Sequence, residues 1–122
     1  MDDDAQLVPR ISVLAVDCSD PRKLGAFWQR LIGGTLSEDD DGVVELRGGP
    51  VGLDFVHVPE PKQTKNRLHL DLAVPYAVRA EAIARALALG ATRADDIYAG
   101  GHWQVLRDPE SNEFCLVWGG GM

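Results

Sequence analysis

Apolar positions change their period along this chain in an order that occurs twice. Ile11 to Cys18 (ISVLAVDC) is a short apolar run rich in β-branched residues, the pattern of a strand. It stops at Ser19-Asp20-Pro21, where Asp20 can cap a helix whose first position suits Pro21. Leu24, Phe27, Trp28, Leu31 and Ile32 then form one apolar stripe, and Gly33-Gly34 supplies a left-handed stop, so a helix is predicted from about 21 to 32. Strands follow at Thr35 to Ser37, Val43 to Arg47 and Val51 to Val58, parted by the acidic turn 38–42 and the break Gly48-Gly49-Pro50. Residues 59–66 have turn composition and no hydrophobic period. Arg67 to Val74 (RLHLDLAV) alternates as a half-buried strand does, and Tyr76 to Leu89 reads as a helix ended by Gly90. The last strands fall at Thr92 to Ile97, His102 to Arg107 and Glu113 to Trp118.

The order β-α-β-β-β therefore repeats, and LIGGTL at 31–36 echoes LALGATR at 87–93. One such unit has a sheet with one apolar face and a single helix to cover it. Two units side by side predict an α+β fold, two βαβββ modules forming a cup-shaped mixed sheet with helices outside and a concave ligand-binding face. We assign residues 1–9 to a disordered acidic tail and 10–119 to one domain: module one at 10–58, a linker at 59–66 and module two at 67–119.

Composition narrows the partners. At 122 residues the chain is one domain's worth, and its net charge of -7 repels phosphate backbones and anionic bilayers. Neither nucleic acid nor a membrane is expected as a partner. Met1-Asp2-Asp3-Asp4 is unlike a basic signal peptide, and the two cysteines, Cys18 and Cys115, lack metal-knuckle spacing, so a cytoplasmic protein with reduced thiols is expected.

Three stretches, DCSDPRKLGAFW (17–28), KNRLHLDL (65–72) and DPESNEFCLV (108–117), resemble the vicinal oxygen chelate superfamily of glyoxalases, bleomycin-resistance proteins and dioxygenases, and more closely its small glyoxalase-like domains. The resemblance implies a cup holding one divalent ion on four side chains, two from each module. Carried over residue by residue, the first-strand ligand falls at Ser12 or Val13, neither a good donor. The module-one carboxylate falls at Asp54, the module-two histidine on His69 and the final glutamate on Cys115. The candidate metal ligands are thus His69, Asp54 and Cys115, and the cofactor is either one divalent metal or none. A true glyoxalase I or extradiol dioxygenase is not expected from this set.

Strand parity adds neighbours. If His69 points into the cup, Asp71 joins it, Glu113 and Val117 join Cys115, and Val56 joins Asp54, while Leu70, Leu72, Phe114 and Leu116 face the helices. The candidate catalytic residues are His69, Asp71 and Glu113, and the candidate ligand-binding residues are Asp54, Val56, Trp103 and Cys115. His69 reads as a metal ligand, as a general base with a carboxylate partner, or as a neutral imidazole hydrogen-bonded to Asp71 or Glu113. Cys115 reads as a soft zinc ligand, a nucleophile or a structural thiol. His57 and His102 read as surface or packing residues, and Lys62, Lys65 and Arg67 as tolerated linker cations. The expected function is small-molecule binding in the concave sheet with lyase or isomerase chemistry. The alternative is a non-catalytic binder of the bleomycin-resistance type. A homodimer is expected by analogy.

Overall fold

The computed structural model describes residues 4–97 and 100–119. Within the stretch expected to be a tail, Asp4–Leu7 (α1) makes one helical turn, and the first three residues lie outside the described ones. Module one then runs β1 (Leu14–Cys18), α2 (Pro21–Ile32), β2 (Thr35–Glu38), β3 (Val44–Arg47) and β4 (Leu53–His57). Module two runs β5 (Asp71–Ala73), a 3-10 turn (Tyr76–Val78), α3 (Arg79–Leu89), β6 (Thr92–Arg93), β7 (Trp103–Arg107) and β8 (Glu113–Val117). Each module folds its strands into a four-stranded mixed sheet, in the orders β1-β4-β3-β2 and β5-β8-β7-β6. β1 and β5 are thus equivalent edge strands, each parallel to the last strand of its own module.

The helix α2 occupies the span that its sequence predicts, because both ends carry specific stops. The Asp20 carboxylate accepts from the Lys23 N–H at 3.2 Å, and Gly33 takes φ 87°, a conformation costly for any residue with a Cβ. The helix of module two is shorter than expected, since the residues after Pro75 wind as a 3-10 turn before α3 begins. Several predicted strands also shrink, two of them most. Residues 67–70 lie outside β5, although the Leu70 carbonyl accepts from the Cys115 N–H at 2.9 Å, and of Thr92 to Ile97 only Thr92–Arg93 form β6, with the Ala94 N–H still donating to the Val105 carbonyl at 3.0 Å before the chain turns at 95–97.

The core lies between the helices and one face of both sheets. Leu24, Phe27 and Trp28 of α2 pack with Leu46, Leu53 and Phe55 of module one and with Phe114 and Leu116 of module two. The indole of Trp28 stands edge-on to Phe27 and Phe114, with ring centres 5.5 and 5.0 Å away. Gly25 lets the helix approach β3 and β4: a Cβ there would sit 2.9 Å from Val44 Cγ1.

Module two also fastens both ends of α2. The Glu110 carboxylate accepts from the backbone N–H groups of Ser19 and Asp20 at 2.6 and 2.7 Å, and Arg85 of α3 donates to the carbonyls of Arg30 and Leu31. The single helix of module one is therefore bonded at its start and its end by module two. Among the described residues, no helix is long and apolar enough to cross a membrane.

Candidate functional site

The register of module two settles which side chains share its open face. Asp71 stands opposite Cys115 across the β5–β8 pair, and Cys115 stands opposite Val105 across β8–β7. Leu70, Leu72, Phe114 and Leu116 point into the main core, so His69, Asp71, Glu113, Cys115 and Val117 take the other side, as strand parity predicts. His69 precedes the assigned strand yet keeps its alternation: its Nδ1 lies 3.0 Å from Asp71 Oδ1. One ligand atom from each of His69, Asp71 and Cys115 can be chosen so that all lie within 4.8 Å of one another. The group spans a gradient of exposure, from Asp71 at 53% of its side chain and His69 at 28% to a residue exposure of 3% for Cys115. Cys115 is roofed by Ala94, with Ile97, Trp103 and Val117 packed around it.

The other thiol is built differently. Cys18 is buried on the helix side of module one, and neither cysteine is in a disulfide. Burial, followed by the carboxylates of Glu110, Asp20, Asp108 and Asp17, pushes the Cys18 pKa up to about 12.

Glu113, expected to be catalytic, is held by three donors. It is buried at 4% exposure, and its two oxygens accept from the Asn66 N–H at 2.9 Å, Lys62 Nζ at 3.2 Å and Arg107 Nε at 3.2 Å. Burial pushes its carboxyl pKa up, but the hydrogen bonds from Asn66, its own backbone, Arg107 and Lys62 outweigh burial and hold it below the usual carboxylate range. A carboxylate so engaged stays ionised and ties the linker to the sheet. Lys62, read from sequence as a tolerated cation, is that tie.

Asp54, expected as a ligand beside His69 and Cys115, lies apart from them. It sits on the open face of module one, outside their converging group, with Oδ1 taken by Arg47 Nη2 at 2.8 Å. Val56 shares its face at the next alternate position of β4. Trp103 is half-buried beside Cys115, and Gly100 lies against its indole, where a Cβ would come within 2.2 Å of the ring. His57 and His102 are exposed.

A cavity of about 510 Å³ opens between the edge strand β1 and residues 66–70. Its apolar wall comes from Leu14, Val16, Leu53, Leu70 and Phe114 together with Trp28, and its polar groups include Asp17, Asn66, His69 and Glu113. Of the residues singled out from sequence, His69 and Glu113 line it, whereas Asp54, Val56, Asp71, Trp103 and Cys115 do not. Trp28, part of the apolar stripe of α2, reaches the cavity wall. Here its Nε1 donates to the buried Asp108 carboxylate at 2.9 Å, which orients the indole at the cavity wall. Burial raises the Asp108 pKa against the bonds it accepts from Trp28, Asn112 and Glu110. A second cavity of about 620 Å³ adjoins the first through Asp17, Asn66 and Asn112 and is lined mainly by charged and polar residues, among them Asp20, Lys23, Glu60 and Glu110.

The chain belongs to the glyoxalase-like domain family, whose model matches residues 13–117. Within that class, its fold is that of the glyoxalase, bleomycin resistance and dioxygenase proteins. A glyoxalase/bleomycin resistance protein/dioxygenase family enzyme from Burkholderia phytofirmans PsJN is 20% identical, with 86% of this chain and 94% of that one covered and a TM-score of 0.69. The fosfomycin resistance protein FosX from Listeria monocytogenes, complexed with Mn(II) and sulfate, is 16% identical over 92% and 91%, with a TM-score of 0.74. A mutant of it complexed with Mn(II) and 1S,2S-dihydroxypropylphosphonic acid is 15% identical over 90% of each chain, with a TM-score of 0.73. At these identities the likeness is one of fold. No curated protein sequence matches the chain.

Proposed function

We propose that this protein binds a small organic molecule in the cavity between β1 and residues 66–70, and that His69 moves a proton on it in a lyase or isomerase reaction. The observation that carries this reading is a largely apolar cavity of about 510 Å³, within the size range of ligand pockets, with His69 among its lining residues. Asp71 orients the ring. In the neutral imidazole Nδ1–H donates to Asp71, so Nε2 carries the lone pair that accepts a proton. Trp28 and Phe114 offer aromatic surface to an apolar body, and Asn66 and Asp17 offer polar contacts to its other end. The FosX neighbours that hold Mn(II), one of them with a dihydroxypropylphosphonic acid, support a small oxygen-bearing ligand and a divalent ion. Such an ion, when bound, supplies a Lewis acid that polarises substrate oxygens. Cysteines held in no disulfide suit the cytoplasm. The exposed Ile11 and Leu68 favour a homodimer.

The second reading is a non-catalytic binder of the bleomycin-resistance type. It is favoured by the engagement of both Glu113 and Asp54 in ion pairs, which removes two carboxylates from acid–base work.

The test is tryptophan fluorescence and calorimetry with a panel of α-hydroxy carbonyl compounds and cationic aromatic drugs. Saturable quenching in wild type and none in Ala15→Trp, which places an indole in the cavity wall, is the expected outcome; equal binding by both proteins sinks the reading. With any ligand found, His69→Ala should bind but no longer exchange a ligand C–H for solvent deuterium. Exchange at the wild-type rate leaves the binder reading in place of the enzyme.

A further inference from the structure

The ion expected from the fold has two ligands in each module, and module one does not provide them here. Ser12 and Val13 bring no strong donor from the first strand, and the Asp54 carboxylate is held by Arg47 at 2.8 Å. Module two compensates with its own chemistry. β8 places a buried thiol where a hard oxygen donor was expected, and Asp71, two residues beyond His69, adds a carboxylate from the same edge. The resulting set has one nitrogen, one oxygen and one sulfur. Manganese and magnesium favour oxygen-rich octahedral sites, whereas imidazole with thiolate suits zinc in a tetrahedron.

We infer that His69, Asp71 and Cys115 form a zinc site contained within module two, and that this chain selects a thiophilic ion over manganese. The inference rests on the divalent ion of the proposed function and names its ligands and class; with the ion bound His69 is a ligand, so proton transfer by its imidazole belongs to the metal-free protein. Three protein donors leave a fourth tetrahedral position, the arrangement of an open rather than a closed zinc site. The gradient of exposure gives an ion its way in: Asp71 and His69 meet solvent first, and Cys115 lies beneath them. Cys115 releases its thiol proton on binding. Cys18, on the far side of the sheets among carboxylates, is the internal control thiol.

The experiment is titration of chelator-stripped, full-length protein with cobalt(II) without oxygen, followed by displacement with zinc and, separately, with manganese. One equivalent of cobalt should give a near-ultraviolet thiolate charge-transfer band, which zinc abolishes and manganese does not. The band should vanish in Cys115→Ser and Cys115→Ala and persist in Cys18→Ala, with circular dichroism reporting the fold. His69→Ala, altered at a partly exposed side chain, should lose binding even if the buried thiol variants do not fold. Asp71→Asn should weaken zinc by about 10- to 100-fold, and Asp54→Asn should leave it unchanged. A wild type that binds no cobalt, binding without the thiolate band, or weakening by Asp54→Asn each overturns the inference. Small-molecule binding by the stripped protein would survive any of these, so failure here is separable from failure of the proposed function.

Discussion

The two modules share one topology and use their open faces in opposite ways. In module one the Asp54 carboxylate is spent on Arg47 across a half-exposed hairpin, and no cluster of three metal-ligating side chains lies on that face among the described residues. In module two the carboxylate that is buried, Glu113, fastens the linker, while the exposed edge strand brings His69 and Asp71 over a buried thiol. A repeated fold thus does not imply a repeated site. Identical strand positions do different work once a cation, a thiol or a linker stands beside them.

The sharpest way to break this division of labour is at the residue both modules share. Trp28→Ala removes an indole from the aromatic cluster and leaves the buried Asp108 without one of its donors, so a loss of about 3–5 kcal/mol is expected in urea denaturation. A loss below about 1 kcal/mol would show that the modules pack without it. Next in size, Glu113→Gln keeps an acceptor for Asn66 but strips the charge from Lys62 and Arg107, at a cost of about 2 kcal/mol. It should also raise protease cleavage in the 59–66 linker.

Two acids give opposite pH signatures. Asp108 is held above its ordinary range, so wild type is most favoured over Asp108→Asn below the unfolded carboxylate range, near pH 4, and loses that advantage as pH rises through the elevated native value. Glu113 is held below its range, so wild type is favoured over Glu113→Gln above about pH 4 and loses that advantage as pH falls through the depressed value. Denaturation of the three proteins from acid to neutral pH checks both slopes, and slopes of the same sign would refute the assignment. The smallest effect belongs to Arg47→Ala. Its pair with Asp54 is partly exposed, so stability should fall by less than about 1 kcal/mol.

Local pattern carried the helix and the strand faces. Asp20, Pro21 and Gly33 bracket α2 because capping depends on residues adjacent in sequence, and parity brought His69, Asp71 and Cys115 to one side because a strand alternates wherever it lies. What failed to show in sequence depends on distant partners. The strand predicted over 92–97 gives way to a turn at 95–97, where Asp96 pairs with Arg107 of β7. Glu113 reads as a free acid until Lys62 and Asn66 fold over it, and Asp54 reads as a ligand until Arg47, seven residues earlier, bends back to it. The cavity has no local signature at all, since its walls come from β1, α2, the linker and β8 at once.

The bonds that module two makes to both ends of α2 bear on how such a chain can change over generations. Glu110 and Arg85 complete a helix encoded by the other half, and Trp28 and Asp108 complete one another. Neither half can therefore drift, be exchanged or be discarded alone without exposing unfinished hydrogen bonds in the one that stays. Either half expressed alone would leave those groups to water, so a split of the chain at the 59–66 linker yields two fragments that complete each other only on reassociation.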